Sequence, residues 1–418
     1  MICGMKLPRF SLGMGDRFAH QGRAQLSAIV EARKIGIDVA PVWNKSNREH
    51  SIVGSHPDDL RIEADEAVAS LGWGDAYFVD ADHINLDTVD GFLAGSNFFT
   101  LDVADAVGQA PKASDREQFI QYTEKWLGVL EIPGIEGGLE LNAGVVDAAA
   151  DQFLAAIVSA GKIYQKIEGA KGAGNFITEI SVDETDAPQS PVELFLILSM
   201  IAAEGIPVQT IAPKFTGRFN KGVDYVGNLK QFEKEFDQDL AVIAYAVNEF
   251  GLPADLKLSV HSGSDKFSIY PIINRQIKKH GAGLHLKTAG TTWLEEVIGL
   301  AEAGGEGLDV AREVYAGAYA RFTELTAPYS TVIDIDRDKL PLPEVVSRWK
   351  PVSFVETLRH VNSCPAYNPH FRQLIHVGFK VAAEMGERYT NALEANETVV
   401  AKNATENLLD RHIKRLFR

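Results

Sequence analysis

Short apolar runs rich in β-branched or aromatic residues recur along the chain, and each is followed by polar residues and then by a helical pattern. This alternation predicts parallel strands that are connected by helices. The seven predicted strands lie in the run AYFVDADHI and near Phe10, Val39, Ile177, Thr210, Leu258 and Leu284. We therefore predict an α/β fold, a TIM-type (β/α)8 barrel, whose eighth strand the pattern does not locate.

Apolar spacing also predicts amphipathic helices over residues 16–32, 147–170, 190–204, 229–250 and 291–305. Ser190 precedes a proline, as expected of a capping residue at a helix start, and Gly251 follows the fourth helix, where glycine commonly ends one. The last hundred residues or so contain helical stretches without a strand series, so we expect a helical C-terminal region near 305–418.

The chain is predicted to be one barrel domain over residues 1–418, with an insertion near 98–144 that lies over the barrel mouth. A doubly wound open sheet and two separate domains are the alternatives. The barrel is favoured because polar residues follow nearly every predicted strand, and barrels carry their chemistry at the carboxyl ends of strands. In an open sheet, ligands instead gather at one switch point.

Acidic residues outnumber lysine and arginine by 57 to 41, which gives a net charge of -16. This charge argues against nucleic acid or an anionic membrane as a partner and favours a small polar ligand. Cys3 and Cys364 lie far apart, and no apolar stretch approaches 18 residues. We expect a cytoplasmic protein without a disulfide framework, and a homo-oligomer stays open.

Candidate chemistry begins with Asp82 and His83, which end a predicted strand in the run FVDADHI. Adjacent residues at a strand end point in different directions, so His83 could bind a divalent metal while Asp82 transfers protons. Alternatively, the carboxylates cap the next helix. His261 and His285 belong to two further predicted strands, and three such histidines predict a metal site with open positions. Each could instead be a buried histidine bonded to backbone.

Acidic residues also follow the strand in NFITEISVDETD, where Glu179, Asp183 and Glu184 lie. We expect Glu179 to point into the barrel, where burial would raise its pKa enough for general acid work. It could equally be an ion-pair partner of Lys214 or Lys287.

The loop APKFTGRFNKGVDYVGN concentrates Lys214, Arg218 and Lys221 beyond a strand. Such a loop suits a carboxylate or phosphate ligand, which Arg218 could bind in a bidentate manner. The alternative is a surface loop whose cations pair with nearby acids.

Five stretches together resemble the bacterial tagaturonate epimerase family over residues 10–388: FVDADHI, ITEISVDETD, APKFTGRFNKGVDYVG, LSVHSGSDKFSIYP and GLHLKTAGTTWLEE. The resemblance implies a metal-dependent enzyme of hexuronate breakdown that interconverts tagaturonate and fructuronate. The Asp82-His83 pair also resembles metal-dependent aldolases, in which a histidine holds zinc and its neighbouring aspartate moves protons.

These two sugar acids differ at the carbon β to the ketone, whose proton is not acidic, so enolisation cannot invert it. Retro-aldol cleavage followed by re-addition can. On this hypothesis Asp82 and Glu179 transfer protons, and an unidentified divalent cation (Zn, Mn, Ni or Co) is held by three histidines. The metal ligands are His83, His261 and His285, and the substrate-binding residues are Lys214, Arg218 and Lys287.

Three other functions stay open. One is a class II-like, metal-dependent aldolase that releases its fragments. Another is an enzyme that forms a Schiff base on Lys214 or Lys287. The third is a non-catalytic sugar-acid binding protein, which would need the basic loop but neither a metal nor paired acids.

Overall fold

The computed structural model describes residues 4–183 and 185–418, so Cys3 and Glu184 lie outside the described residues. Eight parallel strands form a closed barrel in the order β1-β2-β3-β4-β7-β8-β9-β10, and β10 pairs with β1. The predicted barrel is therefore confirmed. The barrel strands are β1 (Phe10–Met14), β2 (Ala40–Ser46), β3 (Phe78–Ile84), β4 (Phe98–Asp102), β7 (Ile177–Ser181), β8 (Thr210–Ala212), β9 (Lys257–His261) and β10 (Leu284–Lys287).

The eighth strand, which the sequence did not locate, is β4. The insertion had been predicted to begin at residue 98, but Phe98 to Asp102 pair with β3 on one side and β7 on the other. Only a short 3-10 turn, Val89–Phe92, lies between β3 and β4. Because the strand-helix alternation fails there, the pattern that revealed the other seven strands missed this one.

Helices surround the barrel and make up the C-terminal region. Those before residue 304 are α1 (Gly22–Lys34), α2 (Asn47–Val53), α3 (Pro57–Leu71), α4 (Ala113–Thr123), α5 (Ala143–Ala149), α6 (Ala155–Lys171), α7 (Pro191–Ala203), α8 (Leu229–Phe250), α9 (Tyr270–His280) and α10 (Thr292–Ala303). The later ones are α11 (Gly305–Ala320), α12 (Phe322–Thr326), α13 (Pro343–Val346), α14 (Pro351–Leu358), α15 (Pro369–Val377), α16 (Phe379–Met385), α17 (Glu387–Ala395), α18 (Glu397–Glu406) and α19 (Lys414–Phe417).

Local capping explains where the predicted helices begin. Ser190 forms a capping box with Glu193 before Pro191, as the sequence indicated for α7. Helix α1 begins later than predicted because the Asp16 carboxylate accepts hydrogen bonds from the backbone N–H groups of residues 18–21. This carboxylate stabilises a turn where the apolar spacing alone predicted a helix.

The extra segment between β4 and α5 contains α4 and a hairpin of β5 (Gly128–Leu130) and β6 (Leu139–Leu141). Trp126 of this segment donates to Glu249 and packs against the rings of Phe195 and Phe250. Phe195 belongs to α7, and Glu249 and Phe250 belong to the carboxyl end of α8. Both helices lie on the outside of the barrel. That the segment as a whole lies over the barrel mouth stays a prediction.

The C-terminal helices reach the mouth. They share an apolar core with α10, in which Trp293 donates to the backbone carbonyl of Ile375. From α15, the buried Arg372 pairs with Asp265 at 2.7 Å, in the loop after β9. A buried pair of this kind ties the C-terminal region to a strand end, because removing either partner leaves an uncompensated charge.

The continuous helix from Ala143 to Lys171 is long and apolar enough by composition to cross a membrane. It packs in this structure against α7 and β4 as one of the outer helices of the barrel. Burial against the barrel accounts for its apolar composition.

Two helical glycines offer a matched test of the packing between α10 and the C-terminal region. A Cβ at Gly299 would lie 2.7 Å from the Val400 Cα of α18, whereas a Cβ at Gly169 of α6 meets nothing within 4 Å. Gly299→Ala should lower the free energy of unfolding by about 1–3 kcal/mol through overpacking. Gly169→Ala should be neutral or stabilise by up to about 1 kcal/mol through helix propensity.

Urea unfolding followed by circular dichroism measures both variants under one condition. Equal stability of Gly299→Ala and the unmodified protein would contradict this packing.

Candidate metal centre at the barrel mouth

A bulge at the end of β3 brings two consecutive side chains into the barrel mouth. The pairing of β3 with β4 shifts register between Ala81 and Ile84, and His83 has a φ of 55°. Neighbouring residues of a regular strand point to opposite faces, so Asp82 and His83 could not otherwise share one site. Left-handed backbone in a residue other than glycine costs energy and clusters at functional sites.

The ammonium group of Lys287, on β10, lies among three carboxylates inside the barrel. Its Nζ is 2.8 Å from Asp80 Oδ2, 3.0 Å from Asp82 Oδ1 and 3.1 Å from Glu179 Oε1. Thr100 donates to both Asp80 and Glu179. These groups are almost completely buried, so the lysine offsets much of the cost of removing the carboxylates from water.

Two of these carboxylates hold the histidines. His83 Nδ1 lies 2.6 Å from Asp82 Oδ1, and His261 Nε2 lies 2.9 Å from Glu179 Oε1. Each ring therefore donates one N–H to a carboxylate and leaves its other nitrogen, Nε2 of His83 and Nδ1 of His261, free to bind a cation. Metal-binding histidines usually have such a carboxylate partner.

The remaining nitrogens converge with a third ligand, Asp183. Ligand atoms of His83, Asp183 and His261 all lie within 4.8 Å of one another, and the three residues are partly exposed. His261 Nδ1 is 3.2 Å from Asp183 Oδ2 but makes no hydrogen bond with any described residue. Two nitrogens and a carboxylate oxygen fit a divalent cation and leave positions open for ligand oxygens.

The charges of the site also favour a cation. Lys287 pairs with the carboxylates of Asp80, Asp82 and Glu179, and the carboxylate of Asp183 lies beside His261 instead. Burial opposes a charged imidazole, but Asp183 and Glu179 outweigh it and raise the pKa of His261 to about 10. The site thus stabilises positive charge at the position where the ligand atoms converge.

The pKa expected for Glu179 is wrong. Burial alone would raise the pKa of this carboxyl group, but Lys287 and His261 together hold it well below its usual range. Burial does raise the pKa of Asp80 to about 7, with Lys287 opposing the rise. The pKa values of these two neighbouring carboxyl groups are therefore shifted in opposite directions, because Glu179 has His261 as a second cationic partner.

The structure does not bring His285 into the cluster. Its Nδ1 lies 2.8 Å from Ser11 Oγ on the neighbouring strand β1, and its ring packs against Phe98. His285 and Lys287 both face the barrel interior, but His285 lies one layer deeper than the strand end. Burial lowers the pKa of His285 to about 3, so it is a neutral core histidine.

Asp183 was recognised from sequence only as one member of an acidic run. It lies two residues beyond β7, where nothing in its spacing distinguishes it from Glu184 or Asp186. Its part in the cluster depends on the position of β9, two strands away around the barrel.

In the loop after β8, Lys214 and Arg218 each have a protein partner of their own. Lys214 Nζ donates to the backbone carbonyl of Thr185. Arg218 pairs with Asp334 at 3.2 Å, and half of its side chain is exposed.

Comparisons with known proteins agree with this architecture. A family model described as "UxaE: tagaturonate epimerase" matches residues 3–416. A tagaturonate/fructuronate epimerase from Thermotoga maritima is 29% identical over 422 residues, which cover 97% of this chain and 80% of that protein.

Two solved structures of fructuronate-tagaturonate epimerase UxaE from Cohnella laeviribosi share the fold. The native structure has a TM-score of 0.80 at 23% identity and covers 99% of this chain and 82% of that chain. A glycerol complex has a TM-score of 0.79 at 24% identity with the same coverage.

The geometry predicts which substitutions release a bound metal. His83→Ala, His261→Ala and Asp183→Ala should each lose the metal, since each removes a ligand atom. Asp82→Asn and Glu179→Gln should retain the ligands but weaken metal affinity about 10–100-fold, because they loosen the imidazoles.

His285→Asn is the matched control, since it removes an imidazole that lies outside the cluster. Metal content after dialysis, measured by inductively coupled plasma mass spectrometry, distinguishes these variants. Loss of metal from His285→Asn with retention in Asp183→Ala would restore the ligand set predicted from sequence.

Proposed function

The chain belongs to the UxaE tagaturonate epimerase family, and we propose that it interconverts tagaturonate and fructuronate through metal-dependent retro-aldol and aldol steps. The observation that carries this proposal is the pairing of Asp82 with the cluster of His83, Asp183 and His261 at one strand end. Retro-aldol cleavage breaks the bond between the α and β carbons of a ketone. It requires a base and a group that stabilises the enediolate, and a carboxylate beside a three-ligand cation site can supply both.

We propose His83, Asp183 and His261 as the ligands of the divalent cation. When bound there, the cation would polarise the ketone oxygen and offset negative charge that develops next to it. The identity of the metal is not determined by this donor set, because nitrogen and carboxylate ligands suit several divalent ions.

Asp82 is the proposed proton-transfer group at the substrate. Its carboxylate is partly exposed, and its Oδ2 accepts a hydrogen bond from Asn44 at 3.4 Å. Asp82 would take the proton of the β-hydroxyl as the carbon-carbon bond breaks to an aldehyde and an enediolate. The aldehyde then turns, the enediolate adds to its other face, and the new hydroxyl recovers a proton.

Glu179 was predicted from sequence as the second proton-transfer group. Its side chain is fully buried, and its two oxygens accept hydrogen bonds from Thr100, Thr210 and His261 in addition to Lys287. These contacts favour a positioning role, in which Glu179 holds the ring of His261.

Lys287 was predicted to bind substrate, and the alternative hypothesis made it a Schiff-base nucleophile. Burial opposes its charge, but Asp80, Asp82 and Glu179 raise the pKa of this ammonium group above its ordinary value. A protonated lysine is not nucleophilic, so the contacts support a charge-balancing role instead. The substrate-binding roles of Lys214 and Arg218 stay predictions.

The proposed cleavage makes an isotopic prediction. The C–H bond at the inverted carbon is never broken, so epimerisation of tagaturonate in heavy water should place no solvent deuterium at that carbon. Proton and deuterium NMR of the fructuronate formed measures this directly. Deuterium at the inverted carbon would show direct deprotonation and rule out the retro-aldol route.

Metal removal separates this mechanism from the Schiff-base alternative. An NMR time course with tagaturonate should show epimerisation by metal-loaded protein, loss of activity after chelation, and recovery when the metal is restored. Borohydride added during turnover should leave the mass of the protein unchanged. Full activity without metal, or a substrate adduct on Lys214 or Lys287, would contradict the proposal.

A further inference from the structure

Lys221 presents an ammonium group that has no partner in the part of the chain that the structure describes. Neither a hydrogen bond nor an ion pair joins its Nζ to residues 4–183 or 185–418. Its aromatic neighbour is Tyr329, whose ring centroid lies 5.9 Å from Nζ. Burial lowers the pKa of Lys221, so its isolation from counter-ions is costly to the folded protein.

The backbone around Lys221 is fixed by hydrogen bonds to other segments. The Lys221 N–H donates to Val332 O at 2.8 Å, and the Gly222 N–H donates to Gly263 O at 2.9 Å. The buried Lys266 Nζ donates to the carbonyl of Asn220, immediately before Lys221. These bonds hold the Lys221 backbone against the C-terminal region and the loop after β9. Groups that are held in this way without partners of their own are suited to bind a ligand.

A second unpaired cation, Arg48, lies beside Lys221. Its guanidinium carbon is 4.7 Å from the same Tyr329 ring, and it has no ion pair among the described residues. Arg48 and Arg17 both lower the pKa of Lys221, so the three cations lie within electrostatic range of one another. Arg17 is already neutralised by Glu49 at 3.0 Å. Two positive charges therefore remain for an anion.

Both cations lie on segments that adjoin the metal centre: Arg48 is two residues beyond Ser46, which pairs in register with Asp82, and the neighbour of Lys221, Gly222, donates to the carbonyl of Gly263, two residues beyond His261. Glu49 and Asp82 both act on the pKa of Lys221 in the raising direction, which places Asp82 within electrostatic range of its ammonium group. The buried His376 also lies close by, and its Nδ1 makes no hydrogen bond with any described residue. The mouth thus combines acidic groups that suit a cation with basic groups that suit an anion.

We infer that Lys221, together with Arg48, binds the carboxylate of the sugar acid. The inference rests on the proposed function and adds a specificity-determining site to it. A ketose with a terminal carboxylate has its metal-binding oxygens at one end and its charge at the other, which matches a mouth that combines both kinds of group. Lys221 is the member of the basic loop best suited to this role, because the charged groups of Lys214 and Arg218 already have protein partners.

Lys221→Gln removes the charge and keeps much of the side-chain length. The Michaelis constant for tagaturonate should rise about 10–100-fold while kcat changes little, because a charge-assisted contact far from the reacting bond is lost. Lys221→Arg should restore most of the affinity. Epimerisation of tagatose, the neutral counterpart, should be almost unaffected. Arg218→Gln is the comparison variant, and we expect a much smaller effect from it.

Binding of galactonate, measured by calorimetry, tests the anion site without turnover, since this sugar acid has no ketone and cannot be cleaved. Wild-type protein should bind it, and Lys221→Gln should bind it about 10–100-fold more weakly. Metal content and thermal midpoint confirm that the variant is folded and loaded.

The inference and the proposed function fail in different ways. Wild-type protein that binds galactonate through Lys221 but does not epimerise tagaturonate would overturn the function alone. Equal losses on tagaturonate and tagatose, an unchanged Michaelis constant, no galactonate binding by wild-type protein, or a larger effect of Arg218→Gln would overturn the inference.

Discussion

The ion pairs of Lys287 with three carboxylates are the interaction on which the rest of the site depends. Asp80, Asp82 and Glu179 lie inside the barrel, where charges without partners are expensive. Lys287 stabilises the ionised forms of Asp82 and Glu179, and the pKa values of both groups lie well below their usual range. Ionised Asp82 and Glu179 can then accept the N–H groups of His83 and His261, and these bonds set which ring nitrogen faces the mouth.

The buried lysine and the proposed metal therefore share one electrostatic task. Lys287 pairs with Asp80, Asp82 and Glu179, whereas the carboxylate of Asp183 lies with the two histidines and is not paired with that ammonium group. A divalent cation at that position would complete the balance and would also be the reactive group. Stability of the barrel interior and chemistry at its mouth are thus linked through the same charges.

Part of this arrangement was predictable from sequence because it depends on local pattern. Strand ends were visible in the apolar runs, so Asp82, His83 and His261 were correctly placed at the carboxyl ends of β3 and β9. The family resemblance rested on motifs at these same strand ends and was confirmed. The helix α8 was predicted with its observed bounds because its amphipathic spacing and Gly251 agree.

Other features depend on packing between distant segments, which spacing does not report. His285 and Lys287 lie two residues apart on β10, so their side chains point to the same face. Only the closure of β10 onto β1 places the lysine at the site and the histidine against Ser11. The bulge at His83 likewise could not be predicted, because a histidine and not a glycine occupies its left-handed position. The C-terminal helices reach the mouth through Arg372, which no strand-helix pattern could predict.

The C-terminal region explains why a barrel with an acidic interior can receive an acidic substrate. Without other charges, the carboxylates around Lys287 would repel a sugar acid over the whole mouth. Tyr329 and Val332 from this region contact Arg48 and Lys221, whose charged groups have no ion-pair partner among the described residues. The barrel supplies the groups proposed to hold a cation, and the C-terminal region positions the groups proposed to attract the anion. The proposed substrate would need both, because a sugar acid carries its negative charge at the end opposite its reacting oxygens.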